Sequence, residues 1–470
     1  MGIKHAAFAG RLVIVGFGGL GQGVLPLILR HIDMPAERIT VVTAADDGQG
    51  MAEQQGVCFV RRELTRADYR DVLAPLLAEG DVLLNLSVNV SSLALIALAW
   101  QQGALYLDTC IEPWGGGYTD TNLAPAMRSN YALRESALAL KEQAGRPTAL
   151  LTHGANPGIV SHFVKRALLD IARETGGGVD TPASRQDWAQ LAERLGIKVI
   201  QVAERDSQVS AHRPKAVGEF VNTWSAEGFA AECRQPAEIG WGSHERAMPP
   251  DARRHDFGRG SAIYLMRPSA ATRVRTWIPS EGPVHGFLIT HSETISISDY
   301  YTVRDGNRVR YRPSVFYAYH PCDAAVLSVH ELAGRNWRLQ DERRLMMAEI
   351  TSGADELGVL LMGHAKGAYW YGSRLSIDEA RALAPHNNAT SLQVGASVLA
   401  GLVWALENPR RGIVEPDEMD FARALEIARP YLGKVGGVYS DWTPLLDRDW
   451  LFPEDIDGAD PWQFKNFRVA

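Results

Sequence analysis

The chain reads as an α/β protein, a doubly wound parallel sheet at the N-terminus followed by a second domain of α+β type. Three observations predict this. Apolar, β-branched runs alternate with helical stretches through the first 150 residues, the signature of parallel βαβ units. The first run ends in a glycine-rich turn, Gly16-Phe17-Gly18-Gly19-Leu20-Gly21. Beyond residue 151 the texture changes and strand signals dominate.

Leu12-Val13-Ile14-Val15 has the composition of a buried strand. A helical stretch with Leu25, Leu27, Ile28 and Leu29 follows the glycines. Strand-like runs recur at Ile39–Val42, Val57–Val60, Val82–Leu86 and Leu105–Leu107, separated by helical Ala52–Gln55, Arg66–Leu77 and Ser91–Gln102. G-x-G-x-x-G alone is a weak signal. Between a strand and a helix, at the head of a βαβ series, it points to a Rossmann-type dinucleotide site. The first glycine makes the tight turn, the second lets backbone approach a pyrophosphate, and the third lets helix pack on strand. The helix N-terminus then offers free N–H groups to the phosphates. Gly16, Gly18, Gly19 and Gly21 are therefore candidate cofactor residues.

The acidic residue expected about 20 positions further on is absent from the end of the second strand, which is Thr43. Asp46 and Asp47 follow it, and Asp46 is either a ribose ligand or part of a solvated turn. No Arg stands within Thr43–Asp47 to receive a 2′-phosphate, which favours NAD over NADP. Asn85 and Ser87 close the fourth strand, Asp108 and Thr109 the fifth. Ligands sit beyond the carboxyl ends of such strands, so these four are candidates for the nicotinamide side. Helix capping is the competing reading, and for Ser91 the preferred one.

Past Gly154-Ala155-Asn156-Pro157-Gly158, Ile159–Ile171 reads as a helix and Gly176-Gly177-Gly178 as punctuation. Strand signals follow at Ile197–Ala203, Ala262–Met266, Thr272–Ile278, Phe287–Thr290, Thr294–Ile297 and Phe316–Tyr319. Helical patterning returns at Ser391–Leu406 and Glu418–Ala428, and the tail from Trp442 reads as a wrapped, packed segment. The expected division is a nucleotide-binding domain over 1–151, completed by the helix near 391–406, a substrate and dimerisation domain over 152–385, and a C-terminal helical segment and tail over 386–470.

The 470 residues carry 48 Lys plus Arg against 55 Asp plus Glu, a net charge of −7. That excludes the basic footprint of a nucleic-acid-binding protein and suits a cationic small molecule. Four cysteines without a CxxC pair fit a reducing compartment. Residues 1–10 lack a signal-peptide layout, and no run approaches 18 apolar residues, so a cytoplasmic protein with no membrane association is expected. Thirteen histidines form no HExxH pair, and His320-Pro321-Cys322-Asp323 lacks partners, so no metal is expected. No GxSxG elbow occurs.

What stands out is acid beside aromatic: Glu112-Pro113-Trp114, Glu204 in Ala203-Glu204-Arg205-Asp206, and Trp224 with Glu227 and Glu232 after it. Carboxylates hold ammonium groups and an indole face attracts a cation, so together they suggest an amine pocket. These strings also carry a family resemblance. With Asn85-Leu86-Ser87-Val88, Arg128-Ser129-Asn130-Tyr131, Val221-Asn222-Thr223-Trp224-Ser225, Gly240-Trp241-Gly242-Ser243-His244-Glu245, Asp355-Glu356-Leu357-Gly358 and Asp460-Pro461-Trp462-Gln463-Phe464, the chain resembles the bacterial homospermidine synthases of the saccharopine dehydrogenase group.

The resemblance implies a reaction that spacing alone does not. Two putrescines, or spermidine and putrescine, are joined to sym-homospermidine with loss of ammonia or diaminopropane. The route is through imine intermediates, with NAD reduced and reoxidised within the cycle. It implies Trp224, Glu204 and His291 as catalytic residues. It implies Glu112, Glu232, Asp355 and Asn156 around the amines, with Asn156 also touching the cofactor, and a homodimer as the assembly. Asn89 is a departure, since the family can carry an acid there, and weaker guidance of ammonium groups follows. Two rivals stay open: a saccharopine-type dehydrogenase acting on an amino-acid Schiff base, which predicts a basic pocket, and a non-catalytic nucleotide sensor.

Overall fold

Leu12-Val13-Ile14-Val15 forms β1 and is buried on both faces. With it run β2 (Ile39–Thr43), β3 (Cys58–Arg61), β4 (Val82–Asn85), β5 (Leu105–Asp108) and β6 (Ala149–Leu150). They lie in the order β3-β2-β1-β4-β5-β6, all parallel, and a strand from far down the chain, Ile413–Val414, adds beyond β6. The continuous apolar runs are what a parallel sheet covered on both faces requires. The order reverses between β1 and β4, and a crevice opens there beyond the carboxyl ends. The computed structural model describes residues 3–142, 145–176 and 180–469; Gly177 and Gly178 of the glycine run lie outside them.

Helix α1 (Gly19–His31) leaves the glycine turn, and α2 (Ser92–Gln102) follows β4. Ser91 caps α2 by accepting the Ala94 N–H at 3.4 Å, and Gly103 ends it in the left-handed region at φ 74°. The helix expected over Arg66–Leu77 is shorter, Tyr69–Leu73 plus a 3-10 turn at Ala74–Leu76. Pro75 cannot donate the interior helical bond.

The second sheet has ten strands: β7 (Val199–Asp206), β8 (Pro236–Gly240), β9 (Ala252–Arg254), β10 (Ala262–Pro268), β11 (Arg273–Ile278), β12 (Gly282–Ile289), β13 (Ser314–His320), β14 (Ala354–His364), β15 (Gly367–Ser376) and β16 (Lys434–Ser440). Eight lie in the order β9-β10-β8-β13-β7-β14-β15-β16, and the β11–β12 hairpin attaches through β12 to β13. Among the described residues, only β7 and β13 are parallel neighbours in this sheet. Helices α3 (Asn130–Leu138), α4 (Ile159–Glu174), α5 (Ala226–Arg234), α6 (Ser292–Tyr300) and α7 (Ala389–Glu407) complete the frame.

Thr294–Ile297, read as a strand, lies inside α6. Its Ile/Ser alternation does not separate a wet face from a dry one, because all nine residues of α6 are buried. Small residues let the helix press on β8, where a Cβ at Gly240 would come 2.3 Å from the Thr294 carbonyl oxygen. The β14–β15 hairpin, between β7 and β16, was not expected. Its glycines, Gly358 and Gly372, face each other with the Trp370 ring over them, so an aromatic supplies the packing that the glycines lack.

Helix α7 packs on α1 and touches β5, β6, β14 and β15, so it lies between the two sheets. Its length and apolar composition would suffice to cross a membrane, yet 89% of that stretch is buried inside the protein. The tail packs on the outer face of the second sheet, with Trp442, Trp462, Phe464 and Phe467 against Phe316, Leu360 and Trp370.

Candidate active site

A cavity of about 960 Å3 runs from the glycine turn to the carboxyl end of β7. At its outer end the turn fits a dinucleotide. Gly16 sits at φ 88°, and a Cβ there would lie 2.8 Å from the Ser87 backbone. A Cβ on Gly18 would meet nothing within 4 Å, so backbone alone faces the cavity, while one on Gly21 would press on the Gly16 carbonyl oxygen at 2.9 Å. Gly18 caps α1 without a side-chain bond, which leaves N–H groups of the first turn for a ligand. Gly19, Thr43, Ser87 and Thr109 line the same wall.

Three expected cofactor residues do not line it. Asp46 is carried outward by the turn after β2 and pairs with Arg61 at 3.1 Å. Asn85 turns back under the sheet, accepting the Ser87 hydroxyl at 2.6 Å and donating to Tyr106. Asp108 is buried, accepting the Thr152 N–H at 2.6 Å and the Tyr106 hydroxyl at 2.7 Å. Burial pushes its carboxyl up to about 6. Asn85 and Asp108 thus shape the wall from behind, Asp108 by anchoring the loop that carries Asn156.

At the inner end, Glu204 comes from β7, where it is buried among strands. Its Oε2 accepts the Tyr317 hydroxyl at 2.5 Å and the Asn156 Nδ2 at 3.1 Å. Burial pushes Glu204 up to about 7, against those two donors. Asn156 stands on the loop after β6 and so ties the first sheet to the second. His291, at the start of α6, lies between two carboxylates: Glu232 Oε2 is 3.1 Å from Nε2 and Glu293 Oε1 is 3.3 Å from Nδ1. Burial alone would lower the imidazole; the Glu232 and Glu293 charges hold it well above its ordinary value. Its ring packs on Tyr317 with centroids 4.7 Å apart.

Trp224 precedes Ser225, which caps α5 by accepting the Gly228 N–H at 3.0 Å. The absence of a side chain at Gly228 leaves room for the indole, 3.2 Å from where a Cβ would be. Glu112, Trp224, Glu232 and Asn89 all line the cavity. The Asn89 N–H points at Glu112 from 3.4 Å. Burial, with the Glu232 charge adding, pushes Glu112 up to about 8 against the Asn89 N–H. Asp355 is the exception. It is fully buried but absent from the wall, one layer behind Glu204 on β14.

Residues 12–150 match the saccharopine dehydrogenase NADP binding domain and residues 154–439 the saccharopine dehydrogenase C-terminal domain. The homospermidine synthase of Blastochloris viridis is 54% identical over 465 residues, 98% of this chain and 97% of that protein. The chain belongs to the homospermidine synthase family. A second family member, from Mesorhizobium japonicum, is 48% identical over 473 residues, covering 99% of this chain and 97% of its own. The crystal structure of the Legionella pneumophila homospermidine synthase, in complex with NAD, superposes with a TM-score of 0.92 at 52% identity, covering 99% of this chain and 98% of that one.

The structure adds site residues that sequence reasoning missed. Tyr317 joins Glu204 to His291, and Asn130, Thr390 and Ser391 reach the wall from α3 and α7. The signal for Tyr317 was present: Tyr317 and Tyr319 share one face of a strand. Nothing in the sequence, however, placed β13 beside β7. Arg62 and Arg66, outside the window searched for a 2′-phosphate partner, line the outer end, and Arg62 is paired with Asp68 at 2.7 Å.

Proposed function

We propose that the protein joins two putrescines, or spermidine and putrescine, into sym-homospermidine with NAD as a recycled cofactor. One observation carries the choice of an amine substrate. The inner cavity is lined by Glu112, Glu204 and Glu232, and among the described lining residues the only arginines, Arg62 and Arg66, stand at the outer end. A site for the carboxylates of an amino-acid Schiff base needs the opposite sign. Residues 1–151 would hold the dinucleotide at Gly16, Gly18, Gly19, Gly21, Ser87 and Thr109, residues 152–385 the substrate, and 386–470 would pack back on both.

The chemistry supplied by bound NAD is acceptance of a hydride from the carbon beside an amine and its later return. Everything else falls to the chain. An alkyl ammonium has a pKa of about 10.4 and must lose a proton before hydride can leave. Glu204, ionised above about 7, is placed to take it. The transfer is uphill by roughly 3 units, about 4 kcal/mol, and desolvation of the ammonium in the buried end reduces that gap. Trp224 faces the cationic intermediate. Such a contact is worth about 2 kcal/mol when desolvated, roughly 30-fold in rate if confined to the transition state. His291 lies between Glu232 and Glu293, and their charges favour its imidazolium form. It orients Glu232 toward the distal amine and holds its own proton. Glu112, Asn89 and Asn156 complete the amine path.

The test is incubation with putrescine and NAD far below the putrescine concentration, with product identified by mass. Homospermidine without accumulating NADH is expected. NADH rising in step with turnover would establish the dehydrogenase reading, and tight NAD binding without product the sensor reading. We propose a homodimer, as the family resemblance implies, in the cytoplasm, as the cysteine usage suggests; a 51.5 kDa species as the sole component in sedimentation velocity would overturn the assembly.

A further inference from the structure

Behind Glu204 the second sheet buries two more carboxyls. Asp206 lies two residues on along β7, and Asp355 stands directly opposite Asp206 on β14. All three are at most 2% exposed. Directly opposed side chains in an antiparallel pair have Cβ atoms about 5 Å apart, so these groups share one face without an intervening cation. Their hydrogen bonds differ sharply. Asp206 accepts three: from the Thr223 hydroxyl at 2.6 Å, the Gln208 N–H at 2.9 Å and Gln208 Nε2 at 3.1 Å. Glu204 accepts two. Among the described residues Asp355 has no hydrogen bond of ordinary geometry; the Thr390 hydroxyl and the Glu204 carboxyl are the groups that approach it.

A second observation, independent of the acids, points into the same spot. The Tyr319 hydroxyl, from β13 in register with Glu204, is buried without a partner, and the charges nearest it are Glu204, Asp206 and Asp355. A buried phenol and a buried carboxyl without well-formed hydrogen bonds, on the two strands that flank Glu204 and Asp206, are costly unless a proton is shared among the acids. The other charged and titratable groups facing the cluster are His291 beyond Glu204, and Arg205 and Cys322 beside Asp206.

We propose that Glu204, Asp206 and Asp355 form a shared-proton carboxyl cluster, in which Asp355 keeps a proton, Asp206 is the anion, and Glu204 exchanges protons with the substrate amine. The proposal rests on the homospermidine reading. That reaction needs a store: two dications give a trication and an ammonium ion, four charges on each side. A proton taken from the first amine must therefore be held and returned when ammonia departs. Burial raises all three carboxyls, and the three donors on Asp206 make it the member that ionises first. Asp206 touches no substrate. It is a positioning residue whose charge raises the proton affinity of Glu204, and through Thr223 it also steadies the residue before Trp224.

The test uses the full-length, NAD-loaded enzyme. The infrared difference spectrum at pH 7, wild type minus Asp355→Asn, should show one neutral carboxyl C=O band, and the same band should appear when both proteins carry Glu204→Gln; the other protonated acids, Glu112 among them, cancel in the difference. A difference spectrum without that band overturns the proposal. Should Asp355→Asn fail to fold, Asp206→Asn carries the test. Losing the anion beside Glu204 should move the acid limb of kcat/KM about one unit lower in pH with KM for putrescine changed less than about 2-fold, and an unmoved limb overturns it. Neither infrared readout needs turnover, so a missing homospermidine product would sink the functional reading separately.

Discussion

Trp224 stands in the turn before a capped helix, with Gly228 beneath its ring, so its orientation is set by the backbone more than by its neighbours. Trp224→Phe should therefore keep most of the rate of homospermidine formation, and Trp224→Ala should lose about 30-fold. Equal losses with NAD binding intact would make the ring packing alone. Glu204→Gln should abolish most turnover while leaving NAD affinity unchanged, because Gln still accepts from Tyr317 and Asn156 but takes no proton. Unchanged kinetics would remove Glu204 from the reaction. At this scale the sequence was informative about residue type and weak about direction. Glu112, Glu204, Trp224 and Glu232 meet in one cavity as the acid-beside-aromatic pattern suggested. Asp46, Asn85, Asp108 and Asp355 were read from strand ends or strings alone, and a strand end does not say which way its last side chain turns.

Among the elements, α7 shows how close approach is written in glycine. Gly401 lies where a Cβ would come 2.8 Å from His153 Nδ1 and 3.0 Å from Leu107, and His153 is held by the Ser397 carbonyl oxygen and His162. Ala in a helix is favoured over Gly by about 1 kcal/mol, whereas overpacking a core costs about 1–3 kcal/mol. Gly401→Ala should thus lower the urea midpoint, and a raised midpoint would show that His153 yields. The first sheet was legible because a buried parallel sheet writes each strand as one apolar run between glycines and helices. The second was partly legible. β7 pairs with the distant β13 and β14, so a β14 that begins Ala354-Asp355-Glu356 reads as surface until its partners β7 and β15 are known, and α6, buried all round, imitates a strand.

For the whole molecule, the concentration of buried acids has a thermodynamic signature. Burial pushes Glu112 to about 8 and Glu204, Glu238 and Glu245 to about 7, and His291 is raised by its carboxylates. Unfolded carboxyls ionise near about 4, so above that the native state holds protons that the unfolded state has lost. Stability from these groups falls as pH rises through their native values. His153, His255 and His364, lowered by burial to about 4, act in the opposite sense, but only below their unfolded value of 6.5. The melting temperature should therefore decline between about pH 6.5 and 8.5, and saturating putrescine should flatten the decline by binding the ionised site. A melting temperature that climbs over that interval would contradict the assignment. The strand Ile413–Val414 adds a consequence in the order of synthesis. The edge of β6 stays open, and the helix that covers α1 is missing, until the ribosome has delivered most of the chain. A fragment ending at residue 151 should accordingly aggregate on release, as light scattering would register. Nascent chains stalled short of residue 414 should remain clients of whatever chaperone meets them at the exit tunnel.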